Sequence, residues 1–205
     1  MKKTILFTLF SFAAVITLSA ANDADKLIQR AAEAFCKKGV EVTYSLQSDD
    51  FSFGTEGKLL MDGKKFVIDA PEMRTWFDGK TQWTMQIDDD YTTIYIVEPT
   101  EEELKNINPY LLLNGYQDSF VATMGKKEKG QQQIILTAKD PQEIQTVTIW
   151  LKENGTVDAM HITVPQGQTI DIKVKSFRNG LVHAKNTFTI PSATLKKASD
   201  VVDMR

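Results

Sequence analysis

The sequence predicts a mainly β domain, a strongly curved antiparallel sheet (half-open β-barrel) closed by an α-helical lid. Three observations lead there. Apolar and polar residues alternate with a period of two over most of the chain after Gly39, tight turn dipeptides separate the alternating runs, and only two segments carry helical character.

The chain opens on Met1-Lys2-Lys3, an apolar stretch from Ile5 to Leu18, and the small residues Ser19-Ala20-Ala21. That order of charge, grease and small side chains is a secretory leader, and the apolar core is too short for the roughly 20 residues of a membrane-spanning helix. We expect residues 1–21 to be removed and residues 22–205 to form one domain. No cysteine ends the leader to accept a lipid, so the product is expected to be soluble and periplasmic.

From Asp23 to Lys38, Leu27, Ala31, Ala34 and Phe35 recur at helical spacing, and Gly39 ends the helix. The period then becomes two: Val40, Val42, Tyr44 and Leu46 alternate with Glu41, Thr43, Ser45 and Gln47. Further strands are expected near Phe53–Met61, Lys65–Ala70, Arg74–Phe77, Gln82–Ile87 and Tyr91–Val97. Asp62-Gly63 and Asp78-Gly79 are hairpin dipeptides, because glycine accepts the positive φ such turns demand.

Between Pro99 and Gly115 the alternation fails. Thr100 can cap a helix that begins with Glu101-Glu102-Glu103, and Pro109 can open a second turn before the apolar run Tyr110-Leu111-Leu112-Leu113. Strands resume near Ser119–Met124, Gln132–Thr137, Thr146–Leu151, Ala159–Val164, Thr169–Lys175 and Asn186–Ile190, with turns at Asn154-Gly155 and Asn179-Gly180. The connections are too short for parallel crossovers. A meander this wide exposes edges and an apolar face, so it is expected to curl under the two helical segments, around either a filled core or a cavity.

Composition excludes several functions. The formal charge is −3 and becomes more negative once Lys2 and Lys3 leave, which argues against a nucleic-acid surface. Cys36 is the single cysteine, so no internal disulfide forms, and it reads as a buried thiol. His161 and His183 are isolated, no Gly-x-Ser-x-Gly elbow is present, and Asp88-Asp89-Asp90 lacks the glycine and distal glutamate of a calcium loop. The expectation is a non-enzyme without metal or cofactor.

Four blocks resemble a known family, the LolA carriers of outer-membrane lipoproteins. They are Gly57-Lys58-Leu59, the run from Trp76 through Asp78-Gly79-Lys80-Thr81 to Trp83 and Met85, the segment Asn108-Pro109-Tyr110-Leu111-Leu112-Leu113, and Phe188-Thr189-Ile190-Pro191 followed by Asp200-Val201-Val202-Asp203. The resemblance implies a monomeric carrier whose sheet shelters lipoprotein acyl chains beneath a movable lid. It would be loaded at an inner-membrane lipoprotein-releasing ABC transporter and emptied at an outer-membrane acceptor. The family usually places an arginine before the proline that precedes the aromatic block. Here Ile68, Asp69 and Ala70 precede Pro71, so the arginine that latches the lid in the family is not at that position, and whether this lid has a latch stays open; Arg74 follows the proline, and the role is not transferred to it.

On that reading the cavity is expected to be lined by Leu59, Met61, Phe66, Trp83, Met85, Tyr95, Trp150, Ile162 and Val164, with Leu27, Phe35, Leu111 and Leu112 supplied by the lid. Each fits ordinary core packing equally well. Met61, Met85 and Met160 suit a surface that repacks around variable cargo. The alternatives are a periplasmic lipid- or lipoprotein-sensing regulator, since the same barrel type resembles the sensing domain of anti-sigma regulators, a general hydrophobic-ligand binder, and a small exported hydrolase. Regulators of that kind usually carry a second domain, and no catalytic constellation supports the hydrolase.

Overall fold

The computed structural model describes residues 23–35, 38–48, 51–101, 103–104 and 113–205, with backbone only for 51–55. The leader, Cys36, and Leu111 and Leu112 lie outside the described residues. Residues 23–35 form helix α1. Twelve strands follow: β1 (Val40–Ser48), β2 (Phe51–Asp62), β3 (Lys65–Ala70), β4 (Met73–Phe77), β5 (Gln82–Asp88), β6 (Tyr91–Val97), β7 (Phe120–Glu128), β8 (Gln131–Ala138), β9 (Thr146–Lys152), β10 (Val157–Thr163), β11 (Thr169–Arg178) and β12 (Asp200–Asp203). A short helix α2 (Ser192–Lys197) precedes β12. No helix among the described residues is long and apolar enough to cross a membrane.

All twelve strands join one sheet in the order β12-β6-β5-β4-β3-β2-β1-β11-β10-β9-β8-β7. Two meanders, β1 to β6 and β7 to β11, are stitched together where β1 pairs antiparallel with β11. The expected turns form as their chemistry dictates. At Asp78-Gly79, Asp78 Oδ1 accepts hydrogen bonds from the Lys80 and Thr81 amides, each at 2.9 Å, while Gly79 takes φ +104°. Thr100 and Glu103 build the reciprocal capping box: the Glu103 amide donates to Thr100 Oγ1 at 3.3 Å, and the Thr100 amide donates to Glu103 Oε2 at 2.7 Å.

Three expectations are corrected. The sheet is neither closed nor strongly curled; β12 and β7 remain its two edges. An open sheet leaves two broad faces to bury, and here both are covered, α1 lying on one and residues 188–198 on the other. Asn186–Ile190 is a run of turns instead of a strand, with the Thr187 amide bonded to Ala184 O. Phe188 and Ile190 are buried there at strand-like spacing but pack flat on the sheet without joining its ladder. The twelfth strand is Asp200–Asp203, which pairs parallel with β6, so the sheet is antiparallel except at this edge.

The two faces carry separate cores. On the inner face, toward α1, register aligns Val42, Leu59, Ile68, Thr75, Thr84 and Tyr95 in one row, and Met61, Phe66 and Phe77 in the next. On the outer face Leu60, Val67, Trp76, Trp83 and Ile96 align, and Phe188, Ile190 and Leu195 cover them.

Candidate functional site

Helix α1 meets the inner face through Ala24, Ile28, Ala31, Ala32 and Phe35, all buried at four- and three-residue spacing. The expected stripe is therefore rotated: Ile28 is innermost, Leu27 is half-buried and Ala34 lies at the margin. Three of these five residues are alanines, which let the helix approach the strands closely. The bulky Phe35 at the far end stands edge-on to Phe177, with ring centroids 5.5 Å apart.

Between the Phe35 end of α1 and the central strands the packing leaves an apolar cavity of about 200 Å³. Val42, Tyr44 and Leu46 of β1, Leu59 of β2, Ile68 of β3, Val157 and Met160 of β10, and Ile172 and Val174 of β11 form its floor and walls. Phe35 and Leu113 form its roof. Tyr44 occupies its wall because Gly57, its cross-strand partner, carries no side chain: a Cβ there would overlap the phenol ring. Burial, followed by the nearby Asp69 carboxylate, pushes the Tyr44 phenol above its usual pKa, so the ring stays neutral. Among the described residues the lining is apolar apart from the Tyr44 hydroxyl, and the cavity can hold hydrocarbon.

Tyr116 opens a 3₁₀ turn (Tyr116–Asp118) after the helical insertion and is buried. Its hydroxyl donates to Asp25 Oδ1 on α1, joining the two covering segments directly. Burial, with the Asp25 hydrogen bond second, pushes the Tyr116 pKa up to about 12.

The expected lining residues are distributed over both faces. Leu59 and Phe35 meet in the cavity. Met61 and Phe66 lie on the inner face but are fully packed in the core beneath α1. Tyr95 shares the inner-face row, Ile162 sits opposite Val147 and Ile170, and Val164 follows β10 at its hairpin; none of the three reaches the cavity. Trp83 and Met85 belong to the outer core, and Trp150, paired with Ala159 and Gln133, lines a separate groove that shares Leu46, Met160 and Ile172 with the cavity but not its space. The structure therefore does not bring these three to the site. The Trp76-to-Met85 block is a structural hairpin, its turn locked by Asp78 and its tryptophans packed with the C-terminal segment. Arg74 also faces outward, 3.4 Å from Asp69 and over the Trp76 ring at 5.0 Å, so it does not reach the cover.

Sequence reasoning passed over Val42, Tyr44, Ile172 and Val174. Their alternation was visible in β1 and β11, but only the register of β1 between β2 and β11 shows that these strands are central. Asp89 and Asp90 form the exposed β5–β6 turn, and His161 pairs outward with Asp171 at 2.8 Å.

A family model described as "Outer membrane lipoprotein carrier protein LolA" matches residues 15–168. No curated protein matches the chain in sequence. Among solved structures, a chain of the Pseudomonas aeruginosa MucA/MucB complex is similar at 12% identity over 82% of this chain, with TM-score 0.47; the chain spans 61% of that relative's length. A LolA superfamily protein from Nitrosomonas europaea is similar at 10% identity over 82% of this chain and 97% of its own, TM-score 0.41. Mycobacterium tuberculosis lipoprotein LppX is similar at 14% identity over 79% and 98%, TM-score 0.44.

Proposed function

The chain belongs to the LolA outer-membrane lipoprotein carrier family, and from that premise we propose that it is a soluble periplasmic carrier that holds lipoprotein acyl chains against the inner face and moves them from the inner to the outer membrane. The observation that carries the reading is the unfilled apolar space between α1 and the central strands. An acyl chain of about 15 methylenes costs roughly 12 kcal/mol to leave in water at ~0.8 kcal/mol per methylene, so a carrier needs enclosed hydrocarbon surface.

The space of about 200 Å³ is smaller than the ~300–1,000 Å³ typical of ligand pockets. The cover must therefore lift to admit cargo. Lid and cargo then compete for Leu59, Met160, Ile172 and their neighbours, which makes loading reversible without any reaction. In this reading an inner-membrane ABC transporter supplies the lipoprotein and an outer-membrane acceptor removes it.

The test is to purify the protein from the periplasm and identify bound species by mass spectrometry, then to measure extraction of a lipoprotein from inner-membrane vesicles. Acylated protein should accompany the carrier, and Met160→Glu should abolish extraction while the circular-dichroism spectrum stays folded. Absence of acylated species together with no extraction by the wild type overturns the proposal.

A further inference from the structure

A second cavity, of about 450 Å³, lies under the Leu27 end of α1, where the β7–β8 and β9–β10 hairpin tips converge on the helix. Its walls combine Leu27 and Leu151 with three cations, Arg30, Lys127 and Lys152, and one carboxylate, Glu153. Lys152 is committed to Asp158 at 3.1 Å, whereas Arg30 and Lys127 have no ion-pair partner among the described residues. Arg30 and Lys127, both exposed, thus outnumber the one carboxylate of the recess, Glu153.

The position of Lys127 is built into the sheet. A register irregularity between Met124 and Lys127 sets Lys127 opposite Gln132, which pairs in turn with Leu151, on the inner, apolar row. The Gln132 amide holds this irregularity by donating to Gly125 O at 3.1 Å. An inward lysine on an edge strand also discourages pairing with another chain. Arg30 has no such use: it comes from the helix, packed over the turn at Gly155, and faces the same recess.

The two cavities adjoin. Leu151, in the cationic one, is the cross-strand partner of Val157, in the apolar one. One buried pair separates a place for charge from a place for hydrocarbon, both beneath a single helix. We propose that the cationic recess takes the phosphate of an anionic phospholipid headgroup whose acyl tail enters the apolar cavity when the cover lifts. This rests on the acyl-binding reading of that cavity. The phosphate chemistry is shared with free inorganic phosphate, and the tail distinguishes the two.

The experiment measures affinities of the full chain for dihexanoyl phosphatidylglycerol, dihexanoyl phosphatidylcholine and inorganic phosphate by isothermal titration calorimetry at low and high salt. Phosphatidylglycerol is expected to bind at least about tenfold tighter than phosphatidylcholine at low salt, with the gap closing as salt rises. The double variant Arg30→Gln/Lys127→Gln should remove the gap while its circular-dichroism spectrum stays folded. Equal binding of both lipids by the wild type overturns this proposal while sparing the carrier reading. Binding of neither lipid overturns both. Inorganic phosphate binding as tightly as phosphatidylglycerol assigns the recess to a free anion and overturns the lipid assignment.

Discussion

Tyr116 donates its hydroxyl proton to Asp25 Oδ1, a bond that spans 91 residues of sequence and fastens the turn after the insertion to the first helix. The acceptor is a carboxylate and the donor is buried, so the bond belongs to the stronger class of side-chain hydrogen bonds. It is a polar tie between the described parts of the segments that lie on the inner face.

Tyr116→Phe keeps the ring packed and removes the tie. A loss of about 1–3 kcal/mol is expected in the stability of the cover, read as faster amide exchange in residues 23–35, with the sheet unchanged. The same residue sets an alkaline limit. Its pKa rises from 10.0 unfolded to about 12 folded, so its contribution is complete below pH 10 and is lost as pH climbs toward 12. Tyrosinate absorbance should show two late-titrating groups, Tyr44 and Tyr116, and the variant should lack the second.

Gly39→Ala should destabilise the whole domain by at least about 2 kcal/mol in urea melts. Gly39 sits at φ +62°, and a Cβ there would overlap the Leu181 carbonyl oxygen. That contact comes with two bonds, Leu181 N to Gly39 O at 3.0 Å and Gly180 N to Lys38 O at 2.9 Å, which dock the C-terminal segment beside the start of β1.

Asp158 is buried among Lys173, Lys152 and Gln131. Burial raises its pKa, but the hydrogen bonds from Lys173 and Lys152, with their charges, outweigh burial and hold it below the ordinary value. A depressed folded pKa stabilises the protein above the unfolded value near ~3.9, and that contribution fades as pH falls through the folded one. Asp158→Asn should cost about 1–3 kcal/mol at neutral pH and flatten the acid limb of the stability profile.

Trp83→Ala should lower stability by about 2 kcal/mol while leaving acyl binding intact, because its ring packs with Trp76 and the C-terminal segment on the far side of the sheet. Loss of binding at unchanged stability would place it at the site instead.

The strands were legible because their period is local: eleven of the observed strands follow alternation and turn glycines that any reader can mark. Which face meets the helix was not. In β4 the adjacent Trp76 and Phe77 are both buried, one in each core, so the pattern names two apolar faces without saying which is covered by what. The same ambiguity placed Trp83, Met85 and Trp150 at the site and turned the α1 stripe toward Leu27. The Tyr116–Asp25 tie and the Leu151–Val157 partition arise from tertiary approach alone, and no spacing in the chain announces them.

The seam between the meanders has a kinetic meaning. Glu41 of β1 and Arg178 of β11 are 137 residues apart in the chain yet neighbours in the sheet. β1 therefore waits with one side unsatisfied until nearly the entire polypeptide has emerged, and the loop that must close is long. Refolding is expected to be slow for a protein of this size, with the last phase reporting the zipping of these two strands.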